Sequence, residues 1–398
     1  MIEKYYSGVI EQIYNRIGKE TRNIVMANYS NDFSIENLEV IRRYQSNEDN
    51  VFFAYSEFSY NTLVGAYEPF LDIICNMHRR FIGGSFDDFQ KECGVYYLHR
   101  QVLNSYYETG ECFREETVLL NEVAYEQRRM TMAIADMLKK LSEVKPLMIV
   151  INRFQMASKS SIETIKYLID NPCANIGIVL GVNAIVKGTD STVEVWDRIV
   201  ESLEDRSAIY YIGSAGPLKN NVKTTNDDEL YITMNFEQSI QEASNIMEFL
   251  DFEQARRGCR IIEHKLKFED AWIDEKSLRR FYMVYARTSV LLGEMSKAIE
   301  LTNEYKALIP ENDSEHYLSL YYFMKGTCYM YQGKLEKAGN SAKSAYDYAV
   351  LAEDDTLIFK AELLSVMIKM SGWYNIFFCV QDIPVSDEII EKLIKHGY

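Results

Sequence analysis

Few residues of the kinds that concentrate chemistry occur in this chain. Its 398 residues include only 6 prolines and 5 histidines, and the 7 cysteines (Cys75, Cys93, Cys112, Cys173, Cys259, Cys328, Cys379) never fall into CxxC spacing. An odd, scattered set of cysteines argues against a disulfide framework and a thiolate zinc site, and fits reduced thiols in a cytoplasmic protein. The dispersed histidines define no metal constellation. No stretch approaches the roughly 20 apolar residues that a membrane-spanning helix needs. Residues 1–20 carry Glu3, Lys4, Glu11, Arg16, Lys19 and Glu20 where a signal peptide would be apolar. Basic charge is short as well: 43 Lys and Arg face 59 Asp and Glu, for a net charge of -16. That balance argues against a sequence-independent grip on nucleic acid. No GxSxG elbow, HExxH or Cys/His dyad is present, and no helix-turn-helix signature stands out.

What is present is an alternation of apolar runs. Residues 3–17 place Tyr6, Val9, Ile10, Ile13 and Ile17 at helical spacing. Short runs at 23–28, 51–57, 147–152, 176–184 and 208–216 predict strands. Helices are predicted over 34–45 (with Ser34 as N-cap), 67–80, 86–107, 112–142, 159–170 and 191–205. Pro146 ends the helix over 112–142. Continuous apolar strands separated by helices predict a five-stranded parallel sheet covered on both faces. Ligands of such sheets bind beyond the strand C-termini, here at Asn28, Glu57, Asn152, Asn183 and Gly213.

The third strand and its helix, "LMIVINRFQMASKSSIETIKYLI" (147–169), resemble the STAND branch of P-loop ATPases found in large LuxR-like bacterial regulators. In that family the strand runs into Asp-Asp, Leu-His-Trp-Ala-Asp and, after two variable residues, Ser-Leu-Glu. The matching residues are Asn152-Arg153, Phe154-Gln155-Met156-Ala157-Ser158 and Ser161-Ile162-Glu163. "NIGIVLGVNA" is similar to the family's sensor strand, with Asn183 near its tip. "YSEFSYNTLVGAYEPFLDII" (55–74) is similar to the segment after the second strand. The resemblance covers roughly residues 5–216 and implies a P-loop-NTPase-like sheet whose nucleotide site, if any, is vestigial, at Asn31, Ser34, Asn152 and Asn183.

The catalytic signatures depart from that pattern. A P-loop needs GxxxxGK[ST], whose glycines let backbone N–H groups cradle phosphate. The equivalent window, "ANYSNDFS" (27–34), puts Ala27 and Asp32 at the glycine positions and Phe33 at the lysine. Only Ser34 survives. Asp32 beside a triphosphate would cost about 4 kcal/mol at roughly 4 Å and an effective dielectric near 20. At the second site, Asn152 and Arg153 replace the carboxylates that hold Mg²⁺; arginine is no magnesium ligand and asparagine is a weak one. Two independent losses imply a pseudo-ATPase with no cofactor, no catalytic residue and no metal. Three alternatives stay open: a divergent switch that binds ATP or ADP with Mg²⁺, nucleotide binding in an unusual mode, and an unrelated α/β domain.

Beyond residue 236 the strand signals stop. Gly293, Ala298 and Pro310 resemble a tetratricopeptide unit, as do Gly326, Gly333, Ala338 and Ala345 in the next. Gly293 and Gly333 lie 40 residues apart, longer than the usual repeat of about 34. Weaker units surround Ala243 and Ala255 (237–250 and 252–267) and the segment 355–380, and residues 387–395 predict one more helix. The expected organisation is an α/β domain over 1–220, a connector over 221–236, and an all-α, tetratricopeptide-like helical solenoid over 237–398. The solenoid implies a protein partner. Tyr282, Tyr285, Tyr305, Tyr317, Tyr321, Tyr322, Tyr329 and Tyr331 are candidates for its concave face, with core packing the simpler reading for most. An incomplete solenoid implies a homo-oligomer or a longer regulator carrying a DNA-binding segment. The function expected is signalling or transcription regulation through protein–protein contact.

Overall fold

A computed structural model describes residues 2–29, 38–46, 50–59, 63–112, 122–183, 186–187, 193–212, 223–224, 235–268, 273–312 and 314–375. The chain divides into two compact units, Met1–Ala271 and Trp272–Tyr398.

The first unit holds five parallel strands: β1 (Ile24–Tyr29), β2 (Phe52–Glu57), β3 (Leu147–Asn152), β4 (Ile176–Asn183) and, on the far side of β1, β6 (Ile209–Ile212). A separate parallel pair joins β5 (Val186–Lys187) to β7 (Lys223–Thr224), which the sequence reading did not anticipate. The five-stranded sheet has the order β2-β3-β4-β1-β6. Every residue of β3 and β4 is buried, which explains why these strands read as continuous apolar runs. One face meets α1 (Ile2–Arg16) and α2 (Glu39–Gln45): Tyr6, Val9, Ile10 and Ile13 cluster with Val25, Ala27, Tyr29, Val150 and Val179. The alternate residues Met26, Ile149, Ile151, Ile178 and Leu180 are also fully buried, so the other face is covered too.

Helices α3 (Phe70–Met77), α4 (Phe86–Glu92), α5 (Tyr97–Thr109) and α6 (Val123–Val144) lie between β2 and β3. The single helix expected over 86–107 is two, because Gly94 adopts φ 71° and turns the chain between α4 and α5. The helix expected over 67–80 begins at Phe70 and passes into a π-turn at His78–Ile82. The helix expected over 34–45 begins at Glu39 among the described residues, and Ser34 lies outside them. Helices α7 (Lys159–Asp170) and α8 (Val193–Glu204) complete the sheet's cover. Ser158 caps α7, its Oγ accepting the Ser161 N–H at 3.4 Å.

Helices α9 (Phe236–Glu248) and α10 (Phe252–Phe268) belong to the first unit rather than to the repeats with which the sequence reading grouped them. They are bonded into it. Asn245 accepts the Cys112 N–H at 2.9 Å and donates to the Gly110 carbonyl at 3.0 Å. Gln127 donates to the Leu250 carbonyl, and Gln254 to that of Val64.

The described part of the second unit is all-helical: α11 (Glu275–Leu291), α12 (Met295–Ala307), α13 (Ser314–Tyr331), α14 (Leu335–Leu351) and α15 (Asp355–Asn375). The turns after α11 and α13 are built on Gly293 (φ 78°) and Gly333 (φ 71°), the pair spaced 40 residues apart. Ala298, Ala338, Ala342 and Ala345 are fully buried between helices. A Cβ at Gly326 would come within 3.0 Å of Leu364 Cδ2, so α13 and α15 approach closely where the glycine sits. Tyr285, Tyr305 and Tyr321 are core residues. Tyr282, Tyr317, Tyr322, Tyr329 and Tyr331 are half-buried. The helix expected over 387–395 lies outside the described residues.

Candidate functional site

The C-terminal edge of the sheet is the expected binding edge of a parallel fold. Strand order decides which residues meet there. β2, β3, β4 and β1 lie side by side, so Glu57, Asn152, Asn183 and Tyr29 end neighbouring strands although they are far apart in sequence.

These groups satisfy one another. The Tyr29 hydroxyl donates to Asn152 Oδ1 at 2.6 Å. Asn152 Nδ2 donates to Glu57 Oε1 at 3.4 Å, and Arg153 Nη1 lies 3.1 Å from the same oxygen. The Arg153 guanidinium also donates to the Phe58 carbonyl at 3.2 Å. Arg153 adopts a left-handed backbone, φ 54° and ψ 39°, a conformation costing a non-glycine residue about 1 kcal/mol or more. That turn places the guanidinium against β2. A carboxylate therefore does stand at this edge. Glu57 supplies it from the neighbouring strand, and Arg153 neutralises it. Glu57 was among the strand ends expected at this edge, but its pairing with Arg153 was not expected, and Tyr29 was not among the expected residues.

Beneath the edge, Tyr6 and Tyr29 meet edge-to-face with centroids 6.3 Å apart. Burial, with the Glu57 carboxylate adding to it, pushes the Tyr6 phenol up and keeps it protonated. A Cβ at Gly181 would stand 2.5 Å from the Tyr6 hydroxyl and 2.7 Å from Asn152 Oδ1. Gly181 thus leaves room for the network at the centre of the sheet.

Of the nucleotide-site residues expected from the sequence, Asn152 is fully buried and Asn183 is 4 % exposed. Asn31 and Ser34 lie outside the described residues. Gln155, from the 3-10 turn Phe154–Met156, links the two strands: its Oε1 accepts the Asn183 N–H at 3.3 Å. Gln155 Nε2 is buried and makes no hydrogen bond among the described residues. No group of three or more His, Cys, Asp or Glu among the described residues could hold a metal ion.

From Arg153 the chain reaches α7 within six residues, and α7 is anchored to the α9–α10 turn. The Ser160 N–H donates to Asp251 Oδ2 at 3.1 Å, and Lys159 pairs with Glu253 at 3.1 Å. The Ser161 hydroxyl donates to the Glu68 carbonyl at 2.7 Å, and the Tyr67 N–H donates to Ser160 Oγ at 3.0 Å. The sheet edge and the helix pair α9–α10 therefore share one short, hydrogen-bonded path.

The opposite sheet edge carries a smaller cavity of about 220 Å³ lined by Arg16, Arg22 and Arg206. Arg16 occupies the last turn of α1, and Arg206 donates to the Ile169 carbonyl in the last turn of α7. Both answer the negative ends of helix dipoles.

No protein-family model matches the chain, and no curated protein matches it in sequence. No described helix is long and apolar enough to cross a membrane.

Proposed function

We propose that the chain is a non-catalytic regulatory protein, with a degenerate STAND-type ATPase domain and tetratricopeptide-like repeats that bind a protein partner. The observation that carries this reading is the Glu57–Arg153–Asn152–Tyr29 network. It occupies the edge where a nucleotide and its Mg²⁺ would sit, and a cation at Glu57 Oε1 would compete with the Arg153 guanidinium at 3.1 Å. The edge holds a shape and passes it through α7 to α9–α10. The repeats serve as the recognition arm, as in the transcription regulators the sequence resembles. Tyr346, Val350 and Leu351 on α14 are exposed and lie close together on the helix, which supports a contact surface there. Calorimetric titration of the full chain with Mg-ATP tests the reading: no heat is expected at micromolar nucleotide, and micromolar binding overturns it. Capture experiments comparing the full chain with Leu351→Asp test the arm, with loss of a captured protein expected.

One observation favours a second reading, a divergent nucleotide switch using ATP or ADP with Mg²⁺. Gln155 Nε2 is a buried donor at the same edge, without an acceptor among the described residues. That reading requires ATP hydrolysis that disappears in Ser34→Ala.

A further inference from the structure

A cavity of about 470 Å³ lies between α9 and the segment that leads into α3. Three carboxylates face it: Glu68 from the loop before α3, Asp72 from the first turn of α3, and Glu242 from the middle of α9. Tyr106 of α5 also lines it, its hydroxyl donating to Asp72 at 3.1 Å. The remaining walls are Leu63, Leu71, Ile246 and Phe249 with small and amide residues, and no Lys, Arg or His among the described residues. A Cβ placed on Gly65 would lie 2.9 Å from Glu242 Oε1 and 3.3 Å from Glu68 Oε2. The two oxygens are therefore no farther apart than the sum of those distances. Glu68 also accepts the Gly65 N–H at 2.9 Å, which holds it in place. Two carboxylates this close, half out of water and with no cation beside them among the described residues, do not both ionise cheaply.

We propose that the packing of α9 against the α3 segment is governed by one proton carried by the neighbouring carboxyl groups Glu68 and Glu242: α9 packs tightly while the pair retains it and loosens when both groups ionise. Burial first, then Glu68, then Asp72 push Glu242 up to about 7. Burial and Asp72 raise Glu68 as well, against the lowering effect of the Gly65 N–H. The sign follows from linkage. An acid whose value is higher in the packed state binds its proton more tightly there. Packing is therefore strongest at low pH and weakens as pH rises through about 7, the value held by Glu242. Because α9–α10 is tied through Asp251 to the N-terminus of α7, loosening α9 around Glu242 changes what the sheet edge is anchored to.

Hydrogen exchange of the α9 amides in the full chain, corrected for intrinsic rates, tests this. Between about pH 5.5 and about pH 8.5 their protection is expected to fall about thirtyfold, against an unchanged β3. Glu242→Gln is expected to flatten that dependence, and Glu68→Gln, which keeps an acceptor for the Gly65 N–H, is expected to flatten it independently. Protection of α9 that is constant across this range in the native chain overturns the proposal. So does a pH dependence that survives in both variants.

Discussion

Glu57 ends β2 and Arg153 follows directly on β3, and the two meet at 3.1 Å, the arginine in a left-handed turn that aims it across to β2. The pair is mostly buried, at 19 % and 16 % side-chain exposure, so its loss should exceed that of a surface ion pair. Arg153→Ala is expected to destabilise the first unit by about 1–3 kcal/mol, because it takes the guanidinium at 3.1 Å away from a mostly buried carboxylate. The double variant Arg153→Met with Glu57→Gln removes both charges and should recover most of that loss. Urea unfolding monitored by far-ultraviolet dichroism checks both.

Gly181 sits under the same network. Adding a methyl group there forces Asn152 or Tyr6 to move, since a Cβ would stand within 2.7 Å of both side chains. Gly181→Ala is expected to cost about 1–3 kcal/mol and to lower the unfolding temperature of the first unit. A variant as stable as the native chain would show that the edge repacks freely.

Asp87 gives a dependence on acid. The Lys91 ammonium at 2.7 Å, the Asn104 amide at 3.1 Å and the Arg100 guanidinium at 3.2 Å hold its carboxyl below the usual range. A depressed acid stabilises above its unfolded value and loses that contribution as pH falls through the folded one. Asp87→Asn should therefore loosen α4–α5 at neutral pH, and the difference from the native chain should vanish under strong acid. Hydrogen exchange of α5 amides across an acid titration measures it.

The two turn glycines of the second unit test its internal repetition. Gly293→Ala and Gly333→Ala each place a Cβ at φ above 70° and are expected to cost about 1 kcal/mol apiece. The two turns are built alike, so the costs should match, and the double variant should show their sum. Thermal unfolding of the three variants decides this.

How much of this was legible in the sequence varies by element, for physical reasons. β3 was read at its full length because six buried residues follow Pro146 without interruption. The division of 86–107 into α4 and α5 had a visible signal in Gly94, outweighed by apolar periodicity that continues on both sides. The grouping of α9 and α10 with the repeats has another cause: amphipathic spacing reveals a helix but not the surface against which it packs. Asn152 and Arg153 stand at the end of β3, where the apolar run stops. Their pairing with Tyr29 and Glu57 was not legible, because those two residues belong to strands far away in sequence. Only the order β2-β3-β4-β1 brings them together.

That order also dictates a wait during synthesis. β1 ends at Tyr29, while both of its neighbours, β4 and β6, begin only at Ile176 and Ile209. At roughly 5–20 residues per second, the ribosome leaves β1 without either partner for on the order of 10 s. Through that interval its apolar residues and two unpaired edges are open to other nascent chains. The strand at the heart of the finished sheet is therefore the segment most in need of chaperone cover while the chain is being made.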